Sequence, residues 1–141
     1  MPTLLLHIAP LHNPERYRLL ADALTTLTVQ CLRKRREVTA VVINDLPQAR
    51  WHIGGVPAER PTALLEISIT AGTNSDAEKA AFIAAVYAEL QRQLGGSAGL
   101  APASYVIVRE LPATDWGYDG RTQRERHRAH PPAPQPTPLP A

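Results

Sequence analysis

Apolar residues along the first 120 positions form two kinds of pattern, short continuous runs and residues at helical spacing. Four short runs, rich in aliphatic and β-branched residues and bounded by Pro, Asn or Gly, have the length of β-strands. These predicted strands are Thr3–Ala9, Val38–Asn44, Thr62–Thr70 and Ser104–Leu111. Between the first and second runs, and again between the third and fourth, apolar residues recur every three or four positions, which is the period of a helix. The pattern therefore predicts strand, helix, strand, twice in succession.

The first predicted helix has a clear beginning and end. Asn13 is a natural N-cap and Pro14 suits the first helical position. The helix is predicted to end in four consecutive cations, Arg33–Arg36, where positive charge interacts favourably with the helix dipole. The apolar stripe consists of Leu20, Leu24, Leu27 and Cys31. The lone cysteine lies on this stripe, so we interpret it as a core residue rather than a nucleophile.

The second predicted helix opens with Ser75–Glu78, which has the spacing of a capping box. A glycine-rich segment, residues 95–99, ends the helix. Its apolar stripe consists of Phe82 or Ile83, Val86, Leu90 and Leu94.

The two halves of this pattern are an internal repeat. Pro2–Ile8 matches Pro61–Ile67, and the Leu-Pro-x-x-x-Trp segment ending at Trp51 recurs with Trp116 at its end. Units of about 60 residues (1–57 and 58–120) are too small for separate cores. We therefore predict an α/β fold, in which tandem β-α-β units form one four-stranded sheet with two helices on one face. The other face is expected to carry apolar residues and to favour oligomers. The residues expected there are Leu4, Leu6, Val42 and Leu65.

Charge is concentrated at the C-terminus. Residues 121–141 carry four arginines against Glu125, a net charge of +3, and six of the 14 prolines. Since the whole chain has a net charge of +2, residues 1–120 have −1. We predict a disordered, basic, proline-rich tail. Nucleic-acid binding through Arg33–Arg36 and this tail is a minor alternative, and the prediction is no nucleic-acid partner.

Composition limits the protein's location. One cysteine excludes a disulfide framework, and the sequence has neither an apolar run of about 18 residues nor a secretory signal pattern. A cytoplasmic protein without membrane contact is predicted. No metal-binding or cofactor-binding pattern occurs, so we expect neither a metal nor a cofactor.

A β-α-β unit that begins Met-Pro and ends in an aromatic-x-x-Gly-Gly hairpin resembles the tautomerase superfamily, typified by 4-oxalocrotonate tautomerase. Here these features are Pro2 and Trp51–Gly55. Two fused units with one N-terminal proline resemble the branch that includes cis-3-chloroacrylic acid dehalogenase. The resemblance covers residues 2–120 and implies a tautomerase/MIF-like fold and a homotrimer of fused units.

The resemblance makes Pro2 the candidate catalytic residue. Removal of Met1 would leave Pro2 with a secondary amine, and burial lowers the pKa of such an amine below its usual value near 8. A neutral amine at pH 7 is available as a general base. In the family, this amine moves a proton alpha to a carbonyl. Pro61 occupies the matching position in the second unit, but its nitrogen is an amide and cannot act as a base.

The usual carboxylate-binding arginines of the family have no match here. The turns after the first strand of each unit, residues 9–13 and 70–74, contain no arginine. The two arginines of the fused dehalogenases align with Thr70 and Thr73, their acidic water-activating residue aligns near Tyr118, and their helical histidine aligns near Thr28. Dehalogenation or hydration is therefore kept only as an alternative.

Other residues are candidates for substrate binding. Tyr105 and Arg109 share one face of the last strand, so that a hydroxyl could polarise a carbonyl and a guanidinium could pair with a carboxylate. Trp51 and Trp116 are candidates for a pocket wall, and Thr73 for a polar contact. Packing is the competing interpretation for Tyr105 and for both tryptophans, and a surface ion pair for Arg109. Two histidines are weaker candidates: His12 for a carboxylate contact and His7 for a core or interface position.

These observations predict an isomerase that interconverts keto and enol forms of a small 2-oxo acid or related carbonyl compound. The alternative from another class is a non-catalytic, ferredoxin-like module that binds a small ligand. Equal activity of the wild type and a Pro2→Ala variant would favour that module.

Overall fold

The computed structural model describes residues 1–10 and 13–129. The first unit contains β1 (Thr3–Ala9), α1 (Glu15–Leu32), β2 (Ala40–Asp45) and a hairpin of β3 (His52–Ile53) with β4 (Val56–Pro57). The second contains β5 (Thr62–Thr70), α2 (Asp76–Leu94), β6 (Tyr105–Leu111) and a hairpin of β7 (Gly117–Tyr118) with β8 (Arg121–Thr122). A short helix, α3 (Gln123–Ala129), follows.

The four long strands form one sheet in the order β2-β1-β5-β6. Each unit contributes a parallel pair, and the two pairs meet through the antiparallel strands β1 and β5. An antiparallel junction between two parallel pairs relates the units by a pseudo-twofold axis. The predicted fold class is therefore confirmed, and the predicted strand bounds differ from the observed ones by at most two residues.

The helix-facing side of the sheet forms the core. Leu4, Leu6 and Leu65 are each 0% exposed and pack with residues of α1 and α2. The expectation that these three leucines lie on the outer face was wrong; Val42, 47% exposed, is on that face as expected. Because successive strand side chains alternate, the outer face of β1 carries Leu5 instead. The outer face remains partly apolar, but through different residues.

Helix α1 begins one residue after the predicted start, and it ends at Leu32, before the four cations that were predicted to form its last turn. It faces the core through a slightly rotated stripe. The Asn13 Oδ1 atom accepts a hydrogen bond from the Glu15 N–H at 3.0 Å. The fully buried positions are Leu20, Leu24, Thr28 and Leu32. Leu27 and Cys31 are only partly buried, at the edge of the core. Thr28 satisfies its buried hydroxyl by donating to the Leu24 carbonyl at 2.8 Å.

The predicted capping box of α2 is confirmed. The Ser75 Oγ accepts from the Glu78 N–H at 3.1 Å, and the Glu78 carboxylate accepts from the Ser75 N–H at 3.0 Å. Arg33 donates to the same carboxylate at 2.8 Å, so the end of α1 is tied to the start of α2. These hydrogen bonds, that of Arg33 first, lower the pKa of Glu78 to about 2.

The C-terminal region differs from the expected disordered tail over residues 121–129, which form β8 and α3. The reason is a second capping box. The Thr122 Oγ1 accepts from the Glu125 N–H at 3.1 Å, and the Glu125 carboxylate accepts from the Thr122 N–H at 2.7 Å. The rest of the predicted tail, residues 130–141, lies outside the described residues. Within the described ranges, no helix has the length and apolar character that crossing a membrane requires.

Candidate functional site

Pro2 lies where both strand pairs and the turn after β5 meet. The Ala40 N–H donates to the Pro2 carbonyl at 3.2 Å, which places the start of β2 beside it. Thr3 is opposite Ser68, two residues before the end of β5, and Thr70 is opposite Leu111 at the end of β6. We call this end of the sheet the Pro2 edge. Pro2 itself is buried, although Met1 precedes it.

The amine at this edge lies in an electropositive, half-buried position. With Met1 in place, the pKa of the N-terminal amine is lowered from 8.0 to about 6. Burial is the largest cause of the lower pKa, and it acts by disfavouring the charged form. The positive charges of Lys34, Arg35 and Arg126 lower the pKa further. A neutral amine is therefore the main form at pH 7.

Lys34 reaches the turn where the family places arginine. Its Nζ donates to the Thr73 Oγ1 at 2.9 Å, and the Thr73 hydroxyl donates to the Thr70 carbonyl at 2.7 Å. Burial, followed by the charge of Arg33, lowers the pKa of Lys34. Asn74 fixes the same turn by donating to the Leu32 carbonyl at 3.0 Å. Lys34, a cation of the first unit, therefore contacts the turn after β5 in the second unit.

The final hairpin and α3 complete the Pro2 edge. The Arg126 guanidinium lies 3.7 Å from the centroid of the Tyr118 ring and donates to the Tyr118 carbonyl at 2.8 Å. The Gln123 N–H donates to the Trp116 carbonyl at 2.9 Å, which fixes α3 against the hairpin. A groove of about 300 Å³ runs along the hairpin and is lined by Trp116, among others.

The opposite end of the sheet holds the other aromatic candidates. Trp51 and Tyr105 line a second groove of about 280 Å³, together with Leu64 and the β3–β4 hairpin. Strand β5 begins at Thr62, directly after Pro61, and Leu64 is its third residue. The second groove therefore lies at the end of the sheet where Pro61 is found. Within one chain, therefore, Pro2, Thr73 and Trp116 lie at one end of the sheet, and Trp51 and Tyr105 lie at the other.

The remaining candidates have other surroundings. Arg109 is on the outer face and pairs with Glu66 at 2.9 Å, which occupies its guanidinium. His7 is partly buried on the outer face of β1, and His12 lies outside the described residues. Thr28 faces the core. In the part of the chain that the structure describes, no three His, Cys, Asp or Glu side chains are placed to hold a metal ion.

Sequence reasoning missed Lys34 and Arg126 as candidates for the site. The sequence pattern predicts Lys34 only as one of the cations at the end of the first helix, and it predicts Arg126 as part of a disordered tail. The Thr122–Glu125 capping-box spacing was a signal for an ordered helix at that point. No sequence signal connects Lys34 to the turn after β5, because the contact depends on how α1 packs beside α2.

The fold is shared with solved structures of one superfamily. A fused 4-OT symmetric trimer is 26% identical, with a TM-score of 0.75 over 86% of this chain and 96% of that chain. A member of the cis-3-chloroacrylic acid dehalogenase family is 21% identical, with a TM-score of 0.74 over 92% of each chain. A protein described as inactivated by 2-oxo-3-pentynoate is 17% identical, with a TM-score of 0.73 over 88% of this chain and 98% of that chain.

The chain has the fold of the tautomerase superfamily. The resemblance stated from the sequence is thereby confirmed, including the fused arrangement of two units. No family model and no curated protein matches the sequence. The superfamily identification therefore comes from the structural comparisons, and it leaves the particular activity and substrate to be proposed.

The surroundings of the N-terminal amine lead to a titration prediction. In a preparation that retains Met1, acetylation of the amine at limiting reagent should be half-maximal near pH 6 rather than near pH 8, because burial and neighbouring cations favour the neutral form. Lys34→Gln should move the midpoint upward by removing one of these cations. Peptide mass spectrometry across a pH series measures both. A midpoint near 8 in the folded protein would contradict this description of the amine.

Proposed function

We propose that this chain is a tautomerase in which Pro2, after loss of Met1, is the general base for a small 2-oxo acid or related carbonyl compound. The observation that carries the proposal is the position of Pro2, which is buried at the sheet edge beside the Met1 amine. Burial and nearby cations lower the pKa of that Met1 amine to about 6, and an amine on Pro2 would lie in the same surroundings. The superfamily fold supports the proposal. So does the structural neighbour that is described as inactivated by a 2-oxo acid.

The proposed reaction is a proton transfer without a cofactor. The Pro2 nitrogen uses its lone pair to take a proton from the carbon alpha to the carbonyl, and the electrons of that C–H bond form an enolate. Return of the same proton to the enolate oxygen gives the enol, and its return to another carbon of a conjugated system gives the isomeric ketone. Cations near the amine stabilise the negative charge that develops on the oxygen.

We further propose that the site is completed in a homotrimer. Neither groove is lined by Pro2, and the outer sheet face exposes Leu5, Val42 and Tyr105 by 38, 47 and 61%. One structural neighbour is described as a symmetric trimer. In such an assembly, Trp51 and Tyr105 would contribute to the site across a boundary between protomers, since their own chain places them far from Pro2.

Covalent labelling tests the proposal. Intact mass should first show the loss of Met1. Treatment with 2-oxo-3-pentynoate, whose electrophilic triple bond accepts an amine, should then add one reagent mass, and peptide mapping should locate it on Pro2. Loss of turnover in proportion to labelling is the expected result. Retained Met1 together with full turnover would overturn the role of Pro2.

A matched control uses the internal repeat. Pro61 has the same strand position, but its nitrogen is bonded to Arg60, so that the peptide containing Pro61 should remain unlabelled. If the reagent modifies only cysteine or lysine and turnover persists, the non-catalytic ligand-binding module is favoured. Release of halide from a 3-haloacrylate at a rate above tautomerisation would instead favour the dehalogenase alternative.

A further inference from the structure

The Pro2 edge holds a lysine, Lys34, that forms no direct ion pair with any residue that the structure describes. In the run Arg33–Arg36, three side chains form ion pairs with Glu78, Glu37 and Asp22. Lys34 is the exception among the residues that the structure describes: its Nζ donates to the Thr73 hydroxyl, and the side chain is partly buried. The charges of Glu78 and Glu110 act on it without a direct ion pair. A partly buried ammonium without a directly paired carboxylate is stabilised when an anion binds beside it.

Arg126 is a second cation whose charge acts on the N-terminal amine. Its side chain is 26% exposed, and its Nε is buried with no hydrogen-bond partner. The carboxylate of Asp119 approaches only to 3.9 Å and is itself 92% exposed. Contact with the Tyr118 ring holds the guanidinium in place while leaving a donor unused.

Two further buried donors beside Arg126 lack acceptors. Gln123 is 6% exposed, and its side-chain Nε2 has no hydrogen-bond partner. The indole Nε1 of Trp116 is also buried and unpaired. Buried N–H groups are normally paired, so unpaired donors concentrated on one hairpin and helix indicate a missing acceptor. A carboxylate offers two oxygens with several lone pairs and matches a guanidinium in shape.

We propose that Lys34 and Arg126 form the anion subsite of this protein, with Gln123 as a neighbouring donor, and that they bind the carboxylate of the 2-oxo acid. The inference rests on the proposed function, since it assigns the substrate's charged end to one side of Pro2. It also names what stands in for the absent turn arginines. Lys34 reaches the turn after β5 through Thr73, and Arg126 arrives from α3.

The test measures binding separately from turnover. The probe is benzoylformate, a 2-oxo acid with no proton alpha to its ketone, and calorimetry gives its Kd. Lys34→Gln and Arg126→Gln should each weaken binding about 10- to 100-fold, which is typical for the loss of a charge-assisted hydrogen bond. The methyl ester of the probe lacks the charge and should bind all variants equally.

Two controls make the result specific. Arg36→Gln removes a cation from the same run, but its guanidinium is paired with Asp22, so binding should be unchanged. Arg126→Lys keeps the charge without the planar group and should recover part of the affinity. Each variant is checked for a cooperative thermal transition like that of the wild type. If Lys34→Gln and Arg126→Gln bind the probe as the wild type does, or lose affinity for the ester equally, the subsite is refuted.

The same titration in Pro2→Ala separates the two proposals. Retained probe binding with lost turnover supports both the base and the subsite. Retained turnover in Pro2→Ala, with probe binding still lost in Lys34→Gln, overturns the base and leaves the subsite standing. Failure of wild-type protein to bind the probe at millimolar concentration overturns the subsite, whatever the role of Pro2.

Discussion

Replacing Pro2 with alanine should lower kcat/KM for ketonisation of an aryl enolpyruvate by about 100- to 10,000-fold, the usual contribution of a positioned general base. The variant keeps an N-terminal amine after Met1 is removed, but the amine is no longer held by the ring. Most of the loss should therefore appear in kcat, with KM changed only a few-fold, because the proposed anion-binding residues are untouched. Initial rates measured by ultraviolet absorbance at several substrate concentrations give both parameters.

The matched control is Pro61→Ala. Pro61 begins the second unit as Pro2 begins the first, and its carbonyl accepts from the Ala101 N–H at 2.8 Å. Alanine keeps that carbonyl, so activity should stay within about two-fold of the wild type. Equal losses in Pro2→Ala and Pro61→Ala would mean that proline is needed at both places for the strand and not for chemistry.

A more direct test of the Pro2 nitrogen blocks the amine and leaves the proline ring unchanged. A residue inserted between Met1 and Pro2 that prevents methionine removal turns the Pro2 nitrogen into an amide, which has no basic lone pair at neutral pH. Turnover should then fall to the level of the uncatalysed reaction. Full activity in this variant would contradict a basic role for the Pro2 nitrogen more directly than any side-chain replacement.

The periodicity and the repeat determined the fold almost completely. Strand-length apolar runs and helical stripes specify β-α-β twice, and neither unit is large enough for its own core. The single four-stranded sheet follows from these features, whereas the order of its strands comes from the structure. Side-chain parity in β1 was the main error. The three consecutive leucines hide the alternation, but Thr3 and His7 share the parity of Leu5 and mark its face as the outer one.

The candidate site could be predicted only in part. Pro2 could be proposed because the Met-Pro pair and the matching Pro61 of the second unit are visible in the sequence. Lys34 and Arg126 could not, because each reaches the Pro2 edge through tertiary packing: Lys34 across the α1–α2 junction, Arg126 on α3 folded against the last hairpin. Strand parity placed Tyr105 and Arg109 on one face correctly, but it could not show that Tyr105 lies at the opposite end from Pro2.

The parity of β1 also leads to the largest expected change in stability. Leu6→Ala should lower the free energy of unfolding by about 2–5 kcal/mol, because Leu6 is fully buried opposite Leu65 and its truncation leaves a cavity between sheet and helices. Urea denaturation followed by circular dichroism measures the loss. The loss of stability should be the same at different protein concentrations, apart from any concentration dependence that the wild type itself shows, since the cavity lies inside one protomer.

Leu5→Ala is the matched comparison, with the same chemical change one residue away on the outer face. Leu5 is 38% exposed in the isolated chain, so truncation should cost the protomer less than about 1 kcal/mol. If the outer face is buried between protomers, Leu5→Ala should nevertheless shift the oligomer toward smaller species in sedimentation experiments, and its denaturation midpoint should fall on dilution. Comparable, concentration-independent losses in both variants would contradict the assignment of the two faces. A Leu5→Ala protein with unchanged assembly would instead place the interface elsewhere, because an interface built on the outer face must lose contact area when this leucine is removed.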